Sequence, residues 1–245
     1  MEIATRMVQL KGEGGNMPVY LARPSVEGKY PAIVVVQEAF GLNQHIKDVT
    51  ERIAREGYAT LAPDLYYREG SAVVGYDNLP EAIRLMMGLS DEKIVADMNS
   101  AIDFAKAQPF VRADRIGVTG FCMGGRVTFL TACRNSDVKA AVPFYGGGIG
   151  SAQVSERTPK APLEYAEGMR CPMLLFFGES DPFIPLDEVE KIKRRLAELK
   201  KDAQTVVYPG APHGFFCNER DSYRADAAKD AWERLKKFFA QHLGA

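Results

Sequence analysis

The stretch GVTGFCMGGR, from Gly117 to Arg126, joins an apolar run to a helical pattern through a glycine-rich turn with Cys122 at its apex. A strand that turns this sharply into a helix crowds its own backbone. Gly120, Gly124 and Gly125 remove the side chains that would collide, and the apex residue is pushed into strained angles with its side chain projecting. The N–H of Met123 opens the helix and is free to donate to a developing oxyanion, while the helix dipole favours a thiolate. Alone, the Gly-x-Cys-x-Gly-Gly frame leaves three readings open: a buried core thiol, an anion-cradling turn, or a nucleophile. The anion reading is the weakest, because the chain has no GxGxxG frame here and no P-loop lysine follows.

A nucleophile needs a base, and the chain has only three histidines. His242 lies three residues from the end and His45 at the start of an early helical pattern. His213, in YPGAPHGFF, follows the last strand pattern in a loop of Pro and Gly, where a catalytic base would be placed. An orienting acid is available in FFGESDPFIP, where Asp181 follows a buried run. Separately, Asp181 reads equally as a cap of the next turn and His213 as a solvated loop residue. Together, Cys122, Asp181 and His213 follow the chain order nucleophile, acid, histidine of the α/β-hydrolase fold, with the acid holding the imidazole tautomer.

The elements that must position these residues are legible from periodicity. MVQL, the turn KGEGGN and PVYLARP predict an N-terminal β-hairpin. Continuous apolar runs then alternate with helical patterns. AIVVVQEAFG is followed by a helix over NQHIKDVTERIAREG, with Ile46, Val49, Ile53 and Ala54 on one face and Gly57 at its end. YATLAPDLY is the next strand. The segment Tyr67 to Met87 carries a short apolar helix, LPEAIRLMMG, that reads either as a lid or as an ordinary surface helix. Ser90 caps a long helix, RIGVTGF leads into the Cys122 turn, and VKAAVPFYGGG, CPMLLFFGESD and AQTVVYP are further strands. A loop of roughly two dozen residues, longer than usual, precedes CPMLLFF. The pattern predicts an α/β fold: a mostly parallel, doubly wound sheet flanked by helices, in a single domain over 1–245. Ligands of such sheets sit beyond the carboxyl ends of the strands.

Bulk composition narrows the class. A chain of 245 residues, 46% hydrophobic and 26% charged with a net charge of −1, has nothing that favours nucleic acid or an anionic membrane as partner. Its apolar runs are too short to span a bilayer, and the N-terminus has no signal pattern, so the expected location is cytoplasmic. The four cysteines form no CxxC pair and no metal-ligand spacing, so free thiols and no metal are expected. The lack of a CxxC or resolving cysteine weighs against a thiol-redox protein, and the assembled triad against a non-catalytic binding protein.

VVVQEAFGLN, GYATLAPDLYYR, GVTGFCMGG, FYGGG, GESDPFIP and YPGAPHGFF together resemble the dienelactone hydrolase family, a cysteine-nucleophile branch of the α/β-hydrolases, from about Pro31 to the last helix. The resemblance implies a Cys122–Asp181–His213 triad, an oxyanion hole from the N–H groups of Met123 and Ala39, and a Glu38 that contacts the cysteine and accepts its proton when substrate arrives. A carboxylate at a strand end, with little water around it, is suited to that task. The implied activity is cofactor-free opening of an enol-lactone that carries a carboxylate, through a thioester acyl-enzyme. A general carboxylesterase or thioesterase is the alternative. The family binds the substrate carboxylate with arginines, one of them four residues after the histidine, where this chain has Cys217. Arg220, Arg84 and Arg68 are the candidates to replace it, with Tyr145 and Tyr66 as pocket-lining residues. The expected partner is a small-molecule ester or lactone, and the expected state a monomer or weak homodimer.

Overall fold

The run Tyr30–Val36, almost all β-branched or small, forms a strand (β3) that is buried along nearly its whole length. Such a run is stable only where helices cover both faces of a sheet. The computed structural model describes residues 1–151 and 155–244 and supplies that cover. Strands β1 (Ile3–Gly12) and β2 (Gly15–Pro24) form the expected antiparallel hairpin, paired from Ile3 with Pro24 to Gly12 with Gly15. Strand β2 also pairs antiparallel with β4 (Ala59–Pro63). From β4 onward the sheet is parallel, with β5 (Val111–Phe121), β6 (Val138–Phe144), β7 (Met173–Gly178) and β8 (Ala203–Tyr208). The order across the sheet is β1-β2-β4-β3-β5-β6-β7-β8. Strand β5 starts earlier than RIGVTGF suggests, because Val111 pairs with Tyr30 across a break in register.

Helix α1 (Gln44–Arg55) starts where the Asn43 side chain accepts from the Ile46 N–H, and it buries Ile46, Val49, Ile53 and Ala54 as the periodicity predicts. It ends at Glu56, followed by Gly57 at φ 98°, a left-handed stop that glycine adopts without strain. Helix α2 (Leu79–Gly88) buries only Ala82 and Leu85 fully. Helix α3 (Asp91–Ala107) is capped by Ser90. Helices α4 (Met123–Arg134), α5 (Leu186–Glu198) and α6 (Ala225–Leu243) complete the layers.

The helices associate in pairs. Arg52 of α1 lies 4.2 Å over the Trp232 ring of α6. Arg126 of α4 grips Asp91 of α3 through two bonds of 2.6 and 3.0 Å. The long loop before β7 includes residues 152–154, which lie outside the described residues, and a 3₁₀ turn at Pro162–Gly168. Among the described residues no helix is long and apolar enough to cross a membrane.

Candidate active site

Cys122 has φ 57° and ψ −120°, angles an L-residue adopts only where its surroundings compel it. The compulsion is close packing on three sides. A Cβ on Gly120 would stand 2.4 Å from the Gly124 carbonyl oxygen, one on Gly124 2.4 Å from that of Val36, and one on Gly125 2.3 Å from that of Phe144. The Cys122 N–H donates to the Phe144 carbonyl at 3.1 Å, and the Cys122 carbonyl accepts from Gly125 at 2.9 Å. The turn therefore locks β5, α4 and the end of β6 together. Cys122 is half-buried, whereas Cys133, Cys171 and Cys217 are buried; all are free thiols.

The acid and the base are brought together by two stitched loops. Ser180 donates to the Ala211 carbonyl at 3.0 Å and Glu179 to that of Tyr208 at 2.9 Å. His213 Nδ1 lies 2.7 Å from Asp181 Oδ2. Asp181 Oδ1 accepts from the Phe183 N–H at 2.9 Å, so this aspartate caps its own turn while its other oxygen meets the histidine. The Tyr145 and Phe183 rings meet the imidazole edge-on, with centroids 5.1 and 5.2 Å away. Burial by itself pushes the His213 pKa down, but the Cys122 sulfur and then Asp181 outweigh it and raise it to about 10. The imidazole thus sits between the Cys122 sulfur and the Asp181 carboxyl, both of which favour its protonated form.

The N–H of Met123, first residue of α4, has no place in the helix ladder. Fully buried Tyr66 ties Ala39 and Met123 together: its hydroxyl donates to the Ala39 carbonyl at 3.0 Å and lies 3.6 Å from Met123 Sδ. Tyr145 is also fully buried, and its hydroxyl has no hydrogen-bond partner among the described residues.

Glu38 is fully buried, and its neighbours differ from the expected ones. Oε2 accepts from the Tyr76 hydroxyl at 3.1 Å, and Oε1 pairs with Arg220 Nη1 at 3.4 Å. Among the described residues Glu38 makes no hydrogen bond to Cys122, whose sulfur pairs instead with His213. The carboxylate is satisfied by a phenol and a guanidinium. Arg220 does reach back into the site, with Phe40 and Tyr76 rings beneath it at 5.3 and 5.5 Å. It lies so close to Gly214, at φ 77°, that a Cβ there would stand 2.4 Å from Nη1.

The other two arginines lie elsewhere. Arg84 points outward on α2, paired with Glu81 at 2.8 Å and Glu69 at 3.9 Å. Arg68 holds Asp97 of α3 at 2.7 and 3.0 Å and the Glu13 carbonyl at 2.7 Å, clamping the hairpin turn to α3. Both had reasonable sequence positions but are consumed by acids on neighbouring turns.

Sequence reasoning missed Tyr76, which accepts from Asn43 Nδ2 at 3.0 Å and from the Cys217 thiol at 3.2 Å while donating to Glu38. Burial, then the Glu38 charge, keep this phenol firmly protonated. Nothing in the polar segment YREGSAVVGYDN singles it out. A surface cavity of ≈ 530 Å³ lined by Gly150, Leu163, Lys191 and Arg195 contains none of these residues, so cavity volume does not locate the chemistry.

A model of the dienelactone hydrolase family matches residues 17–243. The chain belongs to the dienelactone hydrolase family. This hydrolase is 38% identical to a Synechocystis sp. protein named "Putative carboxymethylenebutenolidase", over 99% of each chain. It is 31% identical to a Bradyrhizobium sp. protein named "Probable 2-oxo-3-(5-oxofuran-2-ylidene)propanoate lactonase", over 98% of this chain and 96% of that one. A crystal structure titled as a putative dienelactone hydrolase from Klebsiella pneumoniae superposes with a TM-score of 0.90 at 38% identity, covering 98% of this chain and 100% of that one. The α/β-hydrolase fold expected from the strand pattern is the fold of this family member.

Proposed function

We propose that this family member hydrolyses activated esters and enol-lactones through Cys122, His213 and Asp181. The observation that carries the reading is a strained, half-exposed cysteine acting on a histidine whose other nitrogen is 2.7 Å from an aspartate. The Cys122 sulfur attacks the acyl carbon, and the N–H groups of Met123 and Ala39 receive the oxyanion. As the tetrahedral species collapses, the C–O bond breaks and His213 gives its proton to the leaving oxygen. Water then attacks the thioester and passes a proton to His213, and the C–S bond breaks to release the acid. No cofactor is needed for this sequence. The S–H proton of Cys122 passes to His213 before attack, with Glu38 as the alternative acceptor once substrate disturbs its pairs with Tyr76 and Arg220. A thiolate leaves more readily than an ordinary alkoxide, so productive collapse requires a good leaving group such as an enolate or phenolate.

Arg220 is the cation available to a substrate carboxylate, since Arg84 and Arg68 are held by acids elsewhere. Buried free thiols at Cys133 and Cys171 suit a reducing cytoplasm. The test is a screen of p-nitrophenyl esters beside cis- and trans-dienelactone. Cys122→Ala is expected to abolish all turnover, and wild-type rates in that variant would overturn the proposal. Arg220→Met is expected to lower lactone kcat/KM by about 10- to 100-fold, the worth of a charge-assisted hydrogen bond, with p-nitrophenyl acetate much less affected. An equal loss on both would remove Arg220 from substrate recognition.

A further inference from the structure

Glu38, His45 and Cys217 come from three separate segments: the end of β3, the first turn of α1 and the loop after β8. They bring one carboxylate oxygen, one ring nitrogen and one sulfur within 4.8 Å of one another. All three residues are buried, at 0%, 2% and 0% exposure. The proposed reaction gives His45 and Cys217 no step. His45 Nε2 is sealed from solvent and has no hydrogen-bond partner among the described residues. A buried polar atom left unpaired costs about 1–3 kcal/mol, so this nitrogen calls for a ligand or a reason.

We propose that Glu38, His45 and Cys217 form a binding site for a borderline-soft divalent cation of the zinc type, and that a cation bound there inhibits the enzyme by taking Glu38. The donor set decides the class of ion. One imidazole nitrogen, one thiolate and one carboxylate are what zinc and cadmium accept, whereas magnesium and calcium require an all-oxygen shell. Metal–ligand bonds of about 2.0–2.3 Å place tetrahedral ligand atoms roughly 3.5 Å apart, so atoms within 4.8 Å of one another close by about 1.3 Å at most. The charges balance: a carboxylate and a thiolate together cancel the dication. The Cys217 S–H bond breaks, its proton passes to solvent, and the sulfur and the imidazole lone pair bind the ion with no redox change. The Tyr76 phenol keeps its bond to Glu38 and loses the thiol's. Arg220, already 3.4 Å from Glu38, competes with the incoming cation, so occupancy is reversible. The inhibition rests on the proposed role of Glu38 in activating Cys122; the binding does not.

The test uses the full chain after treatment with a chelator. Cadmium is titrated into the Cys122→Ala variant, so that the nucleophile's sulfur contributes nothing, and thiolate-to-cadmium absorption is read in the ultraviolet. One equivalent is expected to bind. Affinity is expected to fall by about 10- to 100-fold or more in the pair Cys122→Ala/Cys217→Ser, and likewise in Cys122→Ala/His45→Gln, which guards against a folding defect in the first. Magnesium is expected to give no displacement. In chains that keep Cys122, zinc is expected to inhibit p-nitrophenyl acetate hydrolysis reversibly, with His45→Gln retaining basal activity and resisting inhibition. Absence of the absorption band, or equal inhibition of wild type and His45→Gln, would overturn the site. Binding that depends on His45 and Cys217 but leaves activity intact would uphold the site and overturn the role given to Glu38.

Discussion

At the scale of the residue, the proposed chemistry rests on the pair formed by Cys122 and His213. The His213 pKa is raised because the Cys122 sulfur and Asp181 together outweigh burial. Removing either group is therefore expected to lower it. An NMR titration of the His213 ring protons is expected to show a midpoint far above 6.5, near 10, in the wild type, and a midpoint shifted towards lower pH in both Cys122→Ala and Asp181→Asn. A wild-type midpoint near 6.5 would mean that the sulfur and the imidazole do not share a proton. Cys122, Asp181 and His213 stand out in the sequence because each lies in its own turn of Gly or Pro directly after an apolar run. Tyr76 was not, because its hydroxyl matters only through three partners, at Glu38, Asn43 and Cys217, that are remote in sequence. Arg84 and Arg68 misled for a related reason: sequence gives a charge but not the acid that will consume it.

At the scale of the element, the turn between β5 and α4 sets the geometry. Its glycines are required by backbone atoms, which cannot move aside as a flexible side chain can. A Cβ at position 124 would lie 2.4 and 2.5 Å from the carbonyl oxygens of Val36 and Gln37, in the segment that leads into Glu38 and Ala39. Gly124→Ala is expected to cost about 3 kcal/mol in urea unfolding, the upper end for overpacking, and to reduce kcat by shifting Met123 against Ala39. A neutral effect on both would contradict the close-packed turn. The hairpin, the capped helices α1 and α3 and the short α2 were all legible, since local periodicity and caps decide them. The choice between lid and surface helix was not. The structure divides the segment: Leu79, Ile83 and Met87 of α2 are exposed, while Tyr76 just before it enters the site.

At the scale of the whole molecule, the strand order explains why reading along the chain worked. From β3 through β5, β6, β7 and β8 the parallel sheet runs in chain order, so Glu38, Cys122, Tyr145, Asp181 and His213 succeed one another along one edge. The crossover of β4 to the far side of β3 breaks that order, and the segment after β4 that carries Tyr76 folds back over the site unannounced. The helical layer beneath is held by the Arg126–Asp91 pair, with side-chain exposures of 14% and 1%. Breaking a buried pair leaves an unpaired charge and costs about 3–5 kcal/mol. Asp91→Asn is therefore expected to lower the urea midpoint strongly, whereas Glu81→Gln, at the exposed pair with Arg84, is expected to leave it nearly unchanged. The central claim, that Cys122 carries the acyl group, is tested most directly by rapidly quenching the enzyme during turnover of p-nitrophenyl acetate and mapping the acetyl group by peptide mass spectrometry. The account predicts an acetyl thioester on Cys122, cleaved by neutral hydroxylamine and absent from Cys122→Ala. An acetyl group on any other residue, or none during steady turnover, would contradict it.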